Sequence, residues 1–297
     1  MDNIKEFNAK SAFPYALGFI GCGNMAYAIV SGLIKAKLFE ETSIIVSGTK
    51  MESFERWTHF NVAKTLKNKE VVEKSQITFL CVKPNVANAI ANSMGKDVTT
   101  SPNQTFVSIL AGKSLEDIKD IFKNLQHLNF IRAMPNTPLM VCAGATALTA
   151  DDVRSESSLR NFEVIKSIFK TLGIVEIVDE NKFHAITGLS GSGPAYIYIM
   201  IEALSDAGVK QGLPRDLATK FAAQTVFGAS KTLLETGLHP GQAKDQVTSA
   251  GGTTIYGLHE LEKGRIRDSL INAVEAATKR SEEMSKYVAP MNIFISK

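Results

Sequence analysis

The sequence predicts a doubly wound, mostly parallel α/β domain followed by an all-helical domain, and three observations lead to this prediction. The chain has 297 residues, which exceeds the usual size of a domain with a single hydrophobic core. Short apolar runs alternate with helix-like segments up to about Val178, as in a parallel sheet with crossover helices. Beyond Glu180 the strand signals end and helical spacing takes over. We therefore expect an extension at 1–15, an α/β domain at 16–178 and a helical domain at 179–297.

Six short apolar runs give the candidate strands of the α/β domain. Their length and their β-branched content favour strands over helices. They span residues 16–20, 43–47, 77–82, 106–110, 129–134 and 174–178. Open parallel sheets bind ligands at the carboxyl ends of their strands, so the loops that follow these runs are candidate sites.

The helical domain is predicted from apolar periodicity. The apolar residues within 197–204 follow the i, i+3, i+4, i+7 spacing of one helix face. A helix at 214–235 begins with a proline and carries apolar residues on all sides, including Phe221 and Phe227. We expect this helix to be buried either in a bundle or against a second subunit, and the chain to form a homo-oligomer.

Composition excludes several classes of function. Hydrophobic residues make up 44% and charged residues 21%, as in folded globular proteins, and the net charge of +3 is scattered rather than gathered in a nucleic-acid-binding patch. Cys22, Cys81 and Cys142 lack the spacing of disulfide or zinc sites, which indicates a reducing compartment. Neither a targeting peptide nor a membrane span is recognisable, so we expect a cytoplasmic protein without a membrane partner.

A glycine-rich turn directly follows the first strand. Gly21 permits a tight turn, and Gly23 lets the backbone approach a pyrophosphate at the N-terminus of the next helix. Glycines also serve as plain strand-to-helix turns, but the βαβ context favours a dinucleotide-binding Rossmann fold. The residues of this candidate cofactor site are Ile20, Gly21, Cys22, Gly23, Asn24 and Met25, and Ala26 completes the GxGxxA pattern.

The turn after the second strand indicates the preferred dinucleotide. It reads Ser47-Gly48-Thr49-Lys50 and lacks the Asp or Glu that usually binds the ribose hydroxyls of NAD. Hydroxyl groups and Lys50 can bind a 2′-phosphate, so we expect NADPH, with NADH possible. The alternative is a solvated turn with a surface lysine.

Two more loops follow strand ends at the same edge of the sheet. One contains Cys81, Val82, Lys83 and Pro84, and the other contains Leu110, Ala111 and Gly112. Their positions favour loops that face the cofactor, while the alternative is that Pro and Gly are plain turn residues.

In the helical domain, residues 248–254 (Thr-Ser-Ala-Gly-Gly-Thr-Thr) precede a predicted helix. Free backbone N–H groups and the helix dipole can bind an anion there, such as a carboxylate. The alternative is helix capping by Ser or Thr, which explains one hydroxyl but not the whole run. Residues 189–194 are also cap-like and end in Pro194; a structural entry to the next helix is favoured over ligand contact.

No metal or nucleophile motif accompanies these sites. The acidic residues do not cluster at metal-ligand spacing, and the five histidines form no dyad; His184 and His259 are expected on helix surfaces or at an interface. Hydride chemistry needs no such group, because the cofactor supplies the reactive atom and the protein supplies its orientation.

Together these motifs resemble the pyrroline-5-carboxylate reductases. The resemblance covers about residues 16–285, and its most specific parts are 132–138 (Arg-Ala-Met-Pro-Asn-Thr-Pro), 188–196 and 247–254. It implies a Rossmann domain, a helical domain that forms homodimers and larger rings such as decamers, and reduction of 1-pyrroline-5-carboxylate to proline with NADPH or NADH, the last step of proline biosynthesis. This chain departs from the pattern in its longer N-terminus and in Cys22.

The resemblance also assigns individual residues. It implies that Gly251, Gly252, Thr253 and Thr254 hold the substrate carboxylate with Ser249 nearby, and that the catalytic Thr254 hydroxyl faces the ring nitrogen. It places Gly48, Lys50 and Asn68 around the adenosine phosphate, and adds Ile109 to the loop of Leu110 and Ala111.

Two alternatives remain open on the sequence alone. A β-hydroxyacid dehydrogenase shares the domain pattern, but it requires a lysine after the glycine-rich stretch, where this chain has Pro194-Ala195-Tyr196. A non-catalytic NADP(H)-sensing protein would keep the fold, but it would not need the Gly-Gly-Thr-Thr run.

Overall fold

The computed structural model describes residues 4, 7, 12–95, 97–125, 128–151 and 153–286. The chain divides into two units. The first contains the residues up to Gly191 and those from Ala277 onward, and the second is Ser192–Ala276. No helix in the described part of the chain combines the length and the hydropathy needed to span a bilayer.

The first unit is built on an eight-stranded sheet with the order β3-β2-β1-β4-β5-β6-β7-β8. All neighbouring strands are parallel except β6 and β7. The strand order reverses between β1 and β4, which in such sheets opens a ligand crevice at the carboxyl edge. The strands are β1 Tyr15–Ile20, β2 Ile44–Ser47, β3 Ala63–Thr65, β4 Ser75–Leu80, β5 Thr105–Ser108, β6 Asn129–Met134, β7 Gly144–Ala150 and β8 Gly173–Ile177.

Helices cover both faces of this sheet, because successive strand side chains point to opposite sides. Phe19 belongs to the apolar cluster under one set of helices, and its neighbour Ile20 belongs to the cluster under the other. The first set is α1 Asn24–Lys35 and α5 Glu156–Thr171; the second is α2 Asn68–Lys74, α3 Ala87–Met94 and α4 Leu115–Ile121. The predicted doubly wound α/β class is therefore confirmed.

All six predicted strands are present, with ends that shift by no more than two residues. Two further strands, β3 and β7, were not predicted. β3 is only three residues long, with an exposed lysine at its centre, and β7 consists of Gly, Ala, Thr and one Leu. Neither carries the β-branched apolar run by which strands are recognised, so their pairing in the sheet decides their structure.

The segment after β8 belongs to the first unit, and the division between units falls after Gly191 rather than after residue 178. Glu180 accepts hydrogen bonds from the Arg132 guanidinium (2.9 Å) and from the Leu115 backbone N–H (2.7 Å). Phe183, in the short helix α6 Phe183–Ile186, is fully buried in a cluster with Met134. The sequence pattern therefore changes from strand-like to helix-like before the chain reaches the boundary between the two units.

The second unit is helical, as predicted. Its first two helices pack closely: Gly208 approaches Ala218, and the Ser205 and Thr219 hydroxyls are 2.7 Å apart. The helices are α7 Gly193–Lys210, α8 Arg215–Thr236, α9 Pro240–Gln246, α10 Thr253–Lys263 and the start of α11 Ile266–Lys286.

Helix α8 is not buried all round within the chain. Only Ala218 and Ala222 are buried along it, whereas Phe221 and Phe227 are 63% and 56% exposed. The described residues of one chain therefore do not form a bundle that covers this helix, and the second-subunit alternative stays a prediction.

Candidate functional site

The turn between β1 and α1 requires glycine at position 21 for two reasons. Gly21 has φ +96°, a conformation that L side chains rarely adopt. A Cβ there would lie 2.6 Å from the Cys81 carbonyl oxygen, because the Cys81 N–H is hydrogen-bonded to the Ile20 carbonyl across the sheet. The loops after β1 and β4, both predicted to line the cofactor, are thus adjacent.

The N-terminus of α1 is open to an anion. Gly23 is its N-cap residue, no side chain caps the first turn, and no acidic residue lies in that turn. Gly23 and Asn24 are exposed, and a Cβ at Gly23 would meet no atom within 4 Å. These features suit the pyrophosphate of a dinucleotide, which first-turn N–H groups can bind.

One buried hydroxyl links two of the predicted cofactor positions, and a third follows it in the chain. Ser47, at the end of β2, donates a hydrogen bond to the Asn68 side-chain oxygen (2.7 Å) and accepts one from the Gly21 N–H (3.3 Å). Gly48 follows directly, and its N–H is hydrogen-bonded to the Thr65 carbonyl. The structure therefore brings together Gly21, Gly48 and Asn68, three of the candidate cofactor residues.

Lys50 lies in the turn after β2 and is exposed. Within the described residues its ammonium group forms no ion pair or hydrogen bond, while the adjacent Thr49 hydroxyl lies 3.4 Å from the Ser53 hydroxyl. This geometry is compatible both with a 2′-phosphate contact and with a surface lysine, so the two interpretations remain.

Sequence reasoning missed a segment beside the glycine turn. Residues 51–57 form a 3₁₀ helix whose Trp57 indole N–H donates to the Cys22 carbonyl (3.0 Å) and whose Arg56 guanidinium donates to the Asn24 side-chain oxygen (2.6 Å). The signals available were a single tryptophan in the chain and a cationic residue soon after the second strand. Neither indicates contact with a turn more than thirty residues away.

The predicted cofactor residues in the loops after β4 and β5 differ in whether their side chains are buried or exposed. The side chains of Ile20, Cys81 and Leu110 are buried in the core, so only their backbone can face a ligand. The other predicted residues of these loops, Val82, Lys83, Pro84, Ile109 and Ala111, are partly or fully exposed, as is Met25 in the first turn of α1. Lys83 and Pro84 also line a cavity of about 510 Å³ together with Asn85, Asn88, Lys113 and Asp117.

Two of the three cysteines have perturbed thiols. Burial raises the pKa of the Cys22 thiol, an effect partly opposed by a backbone hydrogen bond, by the contact with the Ser53 carbonyl and by the charge of Arg56. Burial also raises the pKa of Cys81, strongly. Neither thiol is poised as a nucleophile. Within the described residues no group of three or more His, Cys, Asp or Glu could hold a metal ion.

The second unit holds a similar open helix N-terminus. Gly252 is the N-cap residue of α10, no side chain caps the first turn, and no acid lies in it. The capping alternative is therefore wrong: the Thr248 hydroxyl instead donates to the Lys244 carbonyl, one turn earlier. Ser249 contributes its carbonyl to a turn with the Gly252 N–H (3.1 Å). The first-turn amides of α10 remain available to an anion.

Glycine is required at both positions 251 and 252 of this loop, at the first for its backbone conformation and at the second for lack of space. Gly251 has φ +67°, and a Cβ at Gly252 would clash with the Ser249 hydroxyl. Ser249 and Thr253 are exposed and Thr254 is partly exposed; neither threonine hydroxyl has a hydrogen-bond partner among the described residues. Gly251 lines a cavity of about 580 Å³ with Lys244, Ile255, Tyr256, Leu258, His259 and Glu262.

Two family models match the chain, and relatives with known names are similar to it over most of its length. The model "Pyrroline-5-carboxylate reductase dimerisation" matches residues 180–284, and "NADP oxidoreductase coenzyme F420-dependent" matches residues 16–112. A pyrroline-5-carboxylate reductase of Glycine max is 42% identical over 278 residues, which are 92% of this chain and 97% of that protein. One of Synechocystis is also 42% identical, over 91% of this chain and 98% of that protein.

The chain belongs to the pyrroline-5-carboxylate reductase family. Two solved structures extend the likeness to the fold. The Plasmodium falciparum pyrroline carboxylate reductase with NADP bound has a TM-score of 0.81 at 28% identity and covers 93% of this chain and 100% of that one. The Coxiella burnetii pyrroline-5-carboxylate reductase has a TM-score of 0.78 at 34% identity, over 92% and 100%. Membership in this oxidoreductase family excludes the β-hydroxyacid dehydrogenase alternative.

Other motifs of this reductase have structural roles. Pro194 lies in the first turn of α7, as predicted, and residues 187–191 before it form a π-helical turn. Asn136, which follows β6, donates to the Ser190 carbonyl (3.1 Å) and accepts from the Ala145 N–H (2.9 Å). Asn136 thus holds this turn against the sheet, a role that no local pattern in the sequence indicates.

Proposed function

We propose that this chain is an NAD(P)H-dependent reductase that converts 1-pyrroline-5-carboxylate to L-proline, with the first turn of α10 as the substrate carboxylate site. The observation that carries this assignment is the Gly-Gly-Thr-Thr start of α10, which has no side-chain cap and no acid. A small carboxylate satisfies free amides of this kind.

The first unit supplies the cofactor site of the proposal. The first turn of α1 binds the pyrophosphate, Gly48, Thr49, Lys50 and Asn68 surround the adenosine phosphate, and the loops after β4 and β5 line the nicotinamide half. When bound, a reduced nicotinamide supplies the hydride. The absence of an acid in the turn at residues 47–50 and the presence of Lys50 favour NADPH over NADH, and the NADP in the Plasmodium falciparum relative supports this preference.

The residues of α10 orient the imine. Backbone N–H groups of Gly251, Thr253 and Thr254 hold the carboxylate. Gly252, whose N–H donates to the Ser249 carbonyl, shapes the turn beside them. Reduction forms a C–H bond at the imine carbon and requires one proton at the ring nitrogen. The Thr254 hydroxyl donates that proton or relays it from water.

The first test is Thr254→Ala, with Thr254→Ser and Thr253→Ala as controls. We expect kcat to fall about 10²- to 10⁴-fold in Thr254→Ala, as for a lost proton donor, while Thr254→Ser retains most activity. Full activity of Thr254→Ala in NADPH-oxidation assays would disprove the role of its hydroxyl. No turnover by the parent chain, despite NADPH binding, would favour the NADP(H)-sensing alternative instead.

The assembly is part of the same proposal. The exposed aromatic and aliphatic side chains of α7 and α8, among them Ile199, Phe221 and Phe227, are the surface through which two copies form a homodimer. A patch of this kind on a folded chain marks an interaction site. Assembly of dimers into a decamer and residence in the cytoplasm remain predictions; size measurement in solution and cell fractionation test them.

A further inference from the structure

Arg56 stands beside the glycine turn without being part of any recognised motif. Its Nη1 donates a hydrogen bond of 2.6 Å to the side-chain oxygen of Asn24, the first residue of α1. Its Cζ lies 3.9 Å from the centroid of the Tyr27 ring, one turn further along the same helix. The guanidinium is thus fixed against the N-terminal turn of α1.

The surroundings hold Arg56 in this position. Trp57, the next residue, is fully buried and bonded to the Cys22 carbonyl. The Tyr27 hydroxyl lies 3.1 Å from His59 Nε2, so the ring beneath the guanidinium is itself anchored. A cation on an aromatic face loses little further freedom when it binds an anion, which is a form of preorganisation.

Most of the binding capacity of Arg56 is unused. A guanidinium has five N–H donors, and the described residues account for one of them, to Asn24. Arg56 is exposed and forms no ion pair among the described residues. A fixed cation with free donors, beside uncapped helix amides, matches the paired oxygens of a phosphate group.

We propose that Arg56 is a cofactor-binding residue that contacts the pyrophosphate, and that Lys50 separately contacts the 2′-phosphate. This inference rests on the proposed function. The assignment follows from the anchoring residues: Arg56 is fixed to α1, whose first turn receives the pyrophosphate, whereas Lys50 follows β2. Arg56 therefore binds NADPH and NADH alike, and Lys50 discriminates between them.

The test measures equilibrium binding by calorimetry, with the full chain and four ligands: NADPH, NADH, ADP-ribose and adenosine 2′-monophosphate. Arg56→Gln lowers the affinities for NADPH, NADH and ADP-ribose by similar factors of about 10- to 100-fold and leaves adenosine 2′-monophosphate unchanged. Lys50→Gln lowers the affinities for NADPH and adenosine 2′-monophosphate only. Arg56→Lys, which keeps the charge but not the planar fork, gives an intermediate loss.

The matched control is Arg160→Gln. Arg160 also lies over an aromatic ring, that of Phe7, but it lines a cavity with Gln76 and Asn103 at the amino ends of the strands. We expect no change in any of the four affinities. Unchanged dinucleotide affinity in both Arg56 variants, or a loss confined to the ligands with a 2′-phosphate, overturns the inference. Failure of the parent chain to bind any dinucleotide overturns the proposed function itself.

Discussion

The Ser47 hydroxyl donates a 2.7 Å hydrogen bond to the side-chain oxygen of Asn68 and thereby joins the end of β2 to the first turn of α2. Ser47 is completely buried and also accepts from the Gly21 N–H. This contact ties the adenosine side of the proposed cofactor site to the glycine turn, so the geometry of both depends on one small hydroxyl.

Replacement of Ser47 by Ala tests this dependence. We expect the free energy of unfolding to fall by about 1–3 kcal/mol, because polar groups of Gly21 and Asn68 lose a buried partner. NADPH affinity falls as well, since neither group is then held in place. Urea unfolding followed by circular dichroism measures the first effect, and Thr49→Ala, at an exposed neighbour, is the control. Equal stability of Ser47→Ala and the parent would contradict the prediction.

A second prediction concerns the buried Arg132, which is 2% exposed and whose Nε and Nη2 find no hydrogen-bond partner among the residues that the structure describes. Burial lowers its pKa, and Glu180, its ion-pair partner at 2.9 Å, opposes that change. Glu180→Ala leaves the cation unpaired and should cost about 3 kcal/mol of unfolding free energy.

The double variant Arg132→Met with Glu180→Ala distinguishes the effect of an unpaired buried charge from a simple loss of packing. Methionine fills the space without a charge, so the double variant should be more stable than Glu180→Ala alone. Thermal and urea unfolding of the three proteins provide the comparison. A double variant less stable than the single one would show that the guanidinium contributes through contacts other than Glu180, such as the ring of Phe183, whose centroid lies 4.4 Å from Cζ.

The sequence predicted most of what is local in this fold. The glycine turn after β1 and the Gly-Gly-Thr-Thr start of α10 were recognisable because each requirement, a positive φ at Gly21 or free first-turn amides, lies within a few residues. The short strand β3 and the alanine-rich β7 were missed because pairing in the sheet, and not propensity, makes them strands.

Contacts between segments far apart in the sequence could not be predicted for a different reason. Arg56 and Asn24 are separated by 32 positions, and no spacing rule joins an exposed arginine to the first residue of an earlier helix. The sequence places Glu180 in the predicted helical domain at 179–297, although its side chain binds Arg132 within the first unit. Helical periodicity reports the structure that a segment adopts and not the unit against which it packs.

The three cysteines should react with iodoacetamide in a fixed order. Cys142 is exposed and reacts first, Cys22 is partly buried and reacts slowly, and Cys81 is buried and does not react in the folded protein. Burial raises the pKa of the Cys22 thiol above its ordinary value, so at a given pH its thiolate fraction, and hence its rate, is lower than for an ordinary cysteine and increases with pH. Mass spectrometry after timed quenching measures each site, and NADPH should protect Cys22 alone. Modification of Cys81 before Cys22 would contradict this order.

The last prediction concerns the uncovered side of α8. Its buried residues, Ala218 and Ala222, face the same chain, while Phe221 projects with 63% of its surface exposed. If a second copy covers this side, Phe221→Asp places a charge in an apolar interface and should weaken dimerisation at least about 30-fold, as expected for loss of a 2 kcal/mol aromatic anchor. Sedimentation velocity over a concentration series measures the change. Leu159→Asp, an exposed leucine on α5 of the first unit, introduces the same charge outside the proposed surface and should leave the assembly intact. A Phe221→Asp protein that sediments like the parent at every concentration would show that the subunits associate through another face.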